Sequence, residues 1–454
     1  MGLAQRKLHD LNGMIEFLAR TGDLARVRSE VDLKHELAGV AARFEGGKAV
    51  LFTRLKGHSA QVFTGLYWNR RILARLCDVA VEELPFLMAD AVAAWKRSPI
   101  DPVVLPGGPA NEVVEREPDL TRLPIPVHAV KDGGAYIDSS IVIARDPDTG
   151  VRNASIQRFM VAGRDRLVIE MDLGRHLRDY YERAEKQGVP LEITINNGVD
   201  LGVHMAAVTP AVAAPIDMDE LGVASQLLGE PLQLVAGQTV GVEGVAHAQY
   251  IIEAEMLPHA REPEGPFAEV TGYYATRGDR EVVRVKAVTH RREPIWHTII
   301  SGKEVYNAVG LTAEANIYKL VSSQIPGVKA VYLTHGGCGF YHAVVQLRKR
   351  VEGVGKNAIM AVFAAFPSLK MVIAVDDDVD IYNAEDVEWA IATRCRPARD
   401  VLVIPHALCH ELNPTTEGSV GSKLGIDATA PYPPDPRYER AKMLDVKLED
   451  YEIE

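Results

Sequence analysis

The chain has 454 residues, 47% of them hydrophobic and 25% charged, which is too long for one ordinary core and supplies ample material for a large one. Its 62 Asp and Glu against 50 Lys and Arg give a net charge of −12, so a broad nucleic-acid or anionic-membrane footprint is disfavoured, although one local Arg suffices to bind an anionic substrate. No run approaches a membrane span, the first ten residues lack an apolar signal core, and the four cysteines (Cys77, Cys338, Cys395, Cys409) lie far apart without CxxC spacing, so a cytoplasmic protein with reduced, mostly buried thiols is expected.

In chain order, apolar residues at helical spacing predict a helix over 11–20, ended by Thr21-Gly22-Asp23. Alternation over 24–31 reads as a short strand, and a helical stretch follows over 32–44. Strands are expected at 49–52 and 61–66, and helices at 68–79 and 81–96. A Pro-rich connection, 99–109, closes this small α/β region, and Leu123-Pro-Ile-Pro126 enters the next unit in an extended form. Strand patterns then dominate: 139–145, 154–161, 167–171, 191–195, 231–235, 250–256 and 282–290, interrupted by helices at 176–187 and 220–228. Many strands with few helices predict a β-barrel or sandwich with chemistry at its mouth. From 304 onward helices and strands alternate (313–323, 328–334, 342–346, 357–366, 371–375, 386–394), and a Pro-rich segment from Pro431 precedes a charged tail expected to wrap another surface. The expected division is therefore 1–110, 111–303 and 304–454.

The stretch Arg261–Tyr274, REPEGPFAEVTGYY, sets Glu264 and Glu269 five residues apart around a Gly-Pro turn expected to feed a strand. Two carboxylates on one turn suit a general acid beside a charge anchor. Read locally, they are equally consistent with solvated surface charges. Asn153 and Arg158 are separated by an odd number of residues and face opposite sides of an unbroken strand unless a bulge intervenes near Asn153. Taken singly, Arg158, His176 and Glu220 read as surface or helix-start residues. The Asp376–Asp380 run reads as an acidic strand-to-helix loop and not a calcium loop, and His406 and His410 read as structural. Gly336-Gly-Cys-Gly339 lacks the spacing of a dinucleotide or phosphate loop, and no GxSxG elbow is present.

Taken together, DLNGMIEFLARTGDLARVRSEVD, DLTRLPIP, YIDSSIVIARDPDTGVRNASIQR, GRH, EGPFAE, VKAVTHRREP and SKLGIDATAP resemble the UbiD family of prenylated-flavin-dependent decarboxylases through nearly the whole chain. The resemblance implies an α/β (α+β) fold, with a central split β-barrel that binds flavin between an N-terminal α/β region and a C-terminal α/β dimerisation domain. It also implies reversible, non-oxidative decarboxylation of an aromatic or heteroaromatic acid (furoate-, pyrrole- or indole-carboxylate-like) through a covalent adduct with prenylated FMN. Carried over residue by residue, Arg158, Glu264 and Glu269 match the catalytic groups, and Asn153, His176 and Glu220 match the ligands of manganese or magnesium. Ser139, Ser140, Gln157, Arg158 and Arg175 match cofactor contacts, and a potassium ion is a further implied component. Arg158 and His297 are the expected substrate contacts, His297 offering a hydrogen bond to a ring heteroatom or serving only as a packing residue. Implied partners are the aromatic acid, CO2, a flavin prenyltransferase that supplies the cofactor, and further copies of the chain in a homodimer or homohexamer. Departures are Ala248-Gln-Tyr-Ile-Ile-Glu-Ala254 before the acidic turn and Phe267-Ala268 where Phe-Gly is common. The rival readings are a subunit of a multi-component carboxylase, a non-catalytic scaffold of the same fold, and a flavin oxidoreductase, for which no nicotinamide fingerprint is found.

Overall fold

Asp10 accepts the Gly13 N–H at 2.8 Å and so caps the first helix, Leu11–Thr21, while Gly22 closes it in the left-handed region. Leu11, Met14, Ile15 and Leu18 form its buried stripe, as their spacing predicts. The structure, a computed structural model, describes residues 10–452 apart from 173, 211–212, 442, 445 and 447–450. A small sheet follows in the order Leu24–Val27, Ala49–Phe52, Gln61–Thr64, Ile295–His297, so a late strand returns to the N-terminal region and carries His297 there. The second predicted helix is short, Glu36–Ala42, because Asp32 forms a local turn by accepting the Lys34 N–H instead of starting a helix.

The centre is a closed antiparallel barrel of six strands: β1 (Tyr136–Arg145), β2 (Arg152–Val161), β3 (Arg166–Ile169), β4 (Leu191–Asn197), β5 (Tyr250–Glu264) and β6 (Gly278–His290). The order is β5-β4-β1-β2-β3-β6, and β6 pairs back to β5, which leaves no open edge in the ring. Alternation assigns the two faces. Val142, Ala144, Phe159, Leu167, Ile169, Ile193, Ile195, Ile252 and Val283 enter one core cluster, while Ile141, Ile143 and Ala154 enter a second with the N-terminal helices.

No bulge intervenes near Asn153. β2 pairs without interruption from Arg152 to Gln157, and the extra residue sits on β1 between Ile137 and Ser140, opposite Arg158. β5 runs eight residues past its predicted end, so Glu264 terminates a strand instead of opening one. Helix Leu201–Ala207 had no sequence signal because all seven residues are buried and no amphipathic period exists. Helix His176–Lys186 packs Leu177, Tyr180, Tyr181 and Ala184 inward. Its Arg183 grips Asp146 of the β1–β2 turn through Nη1–Oδ1 at 2.9 Å and Nη2–Oδ2 at 2.8 Å.

Two compact units emerge: one extends to Lys319 and includes Leu333–Phe340 and Leu412–Pro414, and the other holds Leu320–Tyr332, Tyr341–Glu411 and the described residues from Thr415 on. The second is built on a five-stranded sheet ordered Val328–Leu333, His342–Leu347, Met371–Asp376, Val420–Asp427, Val401–Leu408. Its last hairpin was not anticipated. Lys423 and Asp427 of the SKLGIDATAP motif have structural tasks: Lys423 Nζ donates to the Pro367 and Leu369 carbonyls (2.6 and 2.5 Å), and the Asp427 carboxylate fills the space a Cβ on Gly355 would need. The acidic run is a strand-to-helix loop, and Arg394 bridges its Asp376 and Asp378. Arg440 of the terminal segment pairs with Asp386 and lies over the Trp389 ring at 4.3 Å, so that segment does wrap the helix Ala384–Arg394. None of the four cysteines forms a disulfide among the described residues; two are buried (Cys77, Cys409) and two half-buried.

Candidate active site

The turn that joins β5 to the short strand Phe267–Ala268 is pinned from below. Asp132 accepts the Ala268 N–H at 2.9 Å, and the Gly133 N–H donates to the Pro266 carbonyl at 2.7 Å. A Cβ on Gly133 would lie 2.3 Å from the Gly265 carbonyl oxygen, so only glycine permits this approach. The segment thereby delivers Glu264 and Glu269 to one cation, Arg158 of β2. Arg158 pairs through Nη1 with Glu269 and through Nη2 with Glu170, while its Nε lies 3.6 Å from Glu264. Phe267 underlies the guanidinium at 4.7 Å, and Tyr136 donates a 2.9 Å hydrogen bond to Glu264. Burial pushes the Glu269 carboxyl above the ordinary range, with Arg158 opposing the shift. For Arg158 burial alone would weaken the bound proton, but Glu269, Glu264 and Glu170 outweigh it and hold the cation more firmly than usual.

At the other end of β2, about 17 Å away by the rise of five extended residues, the three expected metal ligands meet. Asn153 Nδ2 donates to Glu220 Oε1 at 2.9 Å, His176 Nδ1 lies 3.2 Å from the same oxygen, and the Ala154 N–H donates to Oε2 at 3.1 Å. Glu220 and Asn153 are buried, and burial pushes the Glu220 carboxyl up against the lowering effect of His176. Asn153 Oδ1 is buried with no partner. One imidazole, one carboxylate and one orphaned amide oxygen make a donor set that fits a hard divalent cation with room for outside oxygen ligands. Among the described residues no three His, Cys, Asp or Glu side chains form a separate protein-only cage.

The remaining expected residues are placed as follows. Ser140 Oγ donates to the Gln157 carbonyl at 2.7 Å, and Gln157 Nε2 donates to Ser155 Oγ at 3.1 Å. Ser139 Oγ shares a 2.9 Å hydrogen bond with His297 Nδ1. Arg175 is exposed at the start of the His176 helix, 3.8 Å from Asp172. His297 is 1% exposed, flanked by the Phe63 and Tyr67 rings, and burial lowers its proton affinity to about 3, so the imidazole is neutral. Its Nε2 has no partner.

Sequence reasoning missed Tyr136, Glu170 and Arg280. Arg280 donates from Nε and Nη2 to Glu170 Oε1 at 3.0 and 2.6 Å, so Glu170 bridges two arginines. Only the register of β3 against β6, which pairs Ile169 with Glu281, reveals that contact. A cavity of about 300 Å³ elsewhere, lined by residues including Asp200, Gln233 and Val245, contains none of these groups.

Family models for the N-terminal, Rift-related and C-terminal domains of 3-octaprenyl-4-hydroxybenzoate carboxy-lyase match residues 15–91, 103–304 and 306–428. A protein from the cooM 5' region of Rhodospirillum rubrum is 53% identical over 99% of this chain and 97% of its own length. The anhydromevalonate phosphate decarboxylase of Methanothermobacter thermautotrophicus is 38% identical, over 94% of this chain and 99% of its own. Among solved structures, HmfF from Pelotomaculum thermopropionicum in complex with FMN superposes with a TM-score of 0.93 at 42% identity, covering 98% of this chain and 100% of that one. An evolved dimeric form of HmfF in complex with prFMN gives 0.89 at the same identity and coverage. The 3,4-dihydroxybenzoic acid decarboxylase AroY of Klebsiella pneumoniae gives 0.92 at 30% identity, covering 97% and 98%.

Proposed function

The chain belongs to the UbiD family of carboxy-lyases, and on that premise we propose that it catalyses reversible, non-oxidative decarboxylation of an aromatic or heteroaromatic acid of the furoate, pyrrole or indole carboxylate kind. The observation that carries this reading is the buried Glu269 beside Arg158, a proton donor next to an anion anchor. Arg158 binds the substrate carboxylate, and Glu264, held by Tyr136, fixes the plane of the guanidinium. Glu269, whose proton is retained to higher pH than in an ordinary carboxyl, returns a proton to the carbon that loses CO2. No side chain here accepts the electrons left behind, so a prenylated flavin supplies that sink when bound. Asn153, His176 and Glu220 would hold manganese or magnesium, and Ser139, Ser140, Gln157 and Arg175 would contact the cofactor. Supply of the cofactor by a flavin prenyltransferase and assembly as a homodimer or homohexamer belong to the same reading.

The preference for an aromatic substrate is supported by the buried, neutral His297, which packs beside the Phe63 and Tyr67 rings and keeps one imidazole nitrogen without a partner for a ring heteroatom. A second reading, an anhydromevalonate phosphate-like substrate, is favoured by four relatives of that activity that are 34–38% identical. It requires a cation for the phosphate, which His297 does not supply. The test is the mass and absorption spectrum of cofactor released from protein co-expressed with a flavin prenyltransferase, followed by a screen of aromatic acids for CO2 release. Prenylated FMN with turnover is expected. Folded protein that carries only FMN, or nothing, overturns the reading.

A further inference from the structure

Three carboxylates face the Arg158 guanidinium, yet they are held differently. Glu264 is 1% exposed and tied to Tyr136. Glu170 is tied on its far side to Arg280 by two hydrogen bonds to Oε1, across the β3–β6 pairing. For Glu269, Arg158 is the only side-chain partner described. A substrate carboxylate that docks on the guanidinium must displace one of the three, and Glu269 is the one that no second side chain holds, its other contact being with the Val270 backbone. Resting on the decarboxylase reading above, we propose that Glu170, anchored by Arg280, is a positioning residue that holds Nη2 of Arg158 while the substrate carboxylate replaces Glu269 at Nη1.

The exchange has a chemical consequence. Glu269 is then buried without its cation, and a carboxylate in that state takes a proton from solvent. The acid is therefore loaded by substrate binding. The charged groups around Glu269 set the direction of any change. Arg158 favours its anion, while Glu170 and Asp172 favour its neutral form; Glu264 acts through Arg158, and Arg280 partly offsets Glu170.

Two measurements test this. In the prenylated-FMN enzyme, Glu170→Gln removes a neighbouring anion, so the alkaline limb of the pH–rate profile moves to lower pH. Arg280→Gln leaves the Glu170 charge uncompensated and moves the limb to higher pH. A purely structural role for either residue predicts no such opposed pair, and shifts of the same sign, or none, overturn the proposal. Calorimetric titration of FMN-loaded protein with pyrrole-2-carboxylate, in buffers of different ionisation heat, then reads proton uptake without turnover. Wild type is expected to take up as much as one proton per carboxylate bound, and Glu269→Gln none. Binding by wild type with no uptake defeats the exchange but leaves the decarboxylase reading intact. If wild type neither binds nor turns over any aromatic acid, both fall.

Discussion

The two ends of strand β2 present carboxylates to opposite needs. At Asn153 the buried Glu220 meets an amide and an imidazole but no fixed cation, and Asn153 Oδ1 is left without a partner. At Arg158 three carboxylates crowd one guanidinium that is already in place. The first arrangement is short of positive charge and suits an incoming cation; the second is oversupplied with negative charge and suits exchange of one anion for another. On the proposed function, one strand would keep metal binding and acid chemistry apart while fixing their separation.

Mutations should separate the ends. Glu269→Gln should lower turnover by roughly 10²- to 10⁴-fold, the usual worth of a general acid, with metal content and flavin retention unchanged; wild-type turnover in this variant would remove Glu269 from the chemistry. Glu220→Gln should weaken metal affinity by about 10- to 100-fold or more, on the scale of losses from altered metal surroundings. Metal analysis after dialysis reads that loss, and unchanged metal content would break the comparison at its other end. Arg158→Lys keeps the charge but loses the planar fork, and kcat/KM should fall roughly tenfold to a hundredfold, the worth of charge-assisted hydrogen bonds. The smallest effect belongs to His297. His297→Phe should cost about two- to tenfold in kcat/KM, one net hydrogen bond, and only for acids with a ring heteroatom. That preference should stay constant from pH 5 to 8, because the imidazole is already neutral with a proton affinity near 3, whereas turnover should decline on the alkaline side as Glu269 loses its proton. A ring preference that titrates in that range would show His297 to be charged.

Period-two patterning marked all six barrel strands, and the order of motifs led to Asn153, Arg158, His176, Glu220, Glu264 and Glu269, which the fold gathers into two clusters. What escaped depended on pairing between distant segments. Glu170 and Arg280 are 110 residues apart and meet only through the β3–β6 register. The bulge sits on β1, and nothing in the β2 sequence records an insertion on its neighbour. Helix Lys303–Gln324 begins ten residues before its expected start because Glu304 is wholly buried, accepting from Thr64, Gly65 and Ile300, so a charge at that position did not mark the surface. The hairpin Val401–Leu408 with Val420–Asp427 was missed because its outer strand is largely exposed and interrupted by Pro405.

The extra residue on β1 sets Asp138 and Ser139 against Thr298 and His297: Thr298 donates to Asp138 at 2.8 Å, and Ser139 meets His297 at 2.9 Å. The two dipeptides are therefore one cassette in any effort to retarget the enzyme. A library that varies position 297 alone will mostly strand Ser139 without its partner, whereas co-varying 139 with 297, and keeping Asp138 and Thr298 as the hinge pin, leaves that hydrogen-bonded pair replaceable as a unit.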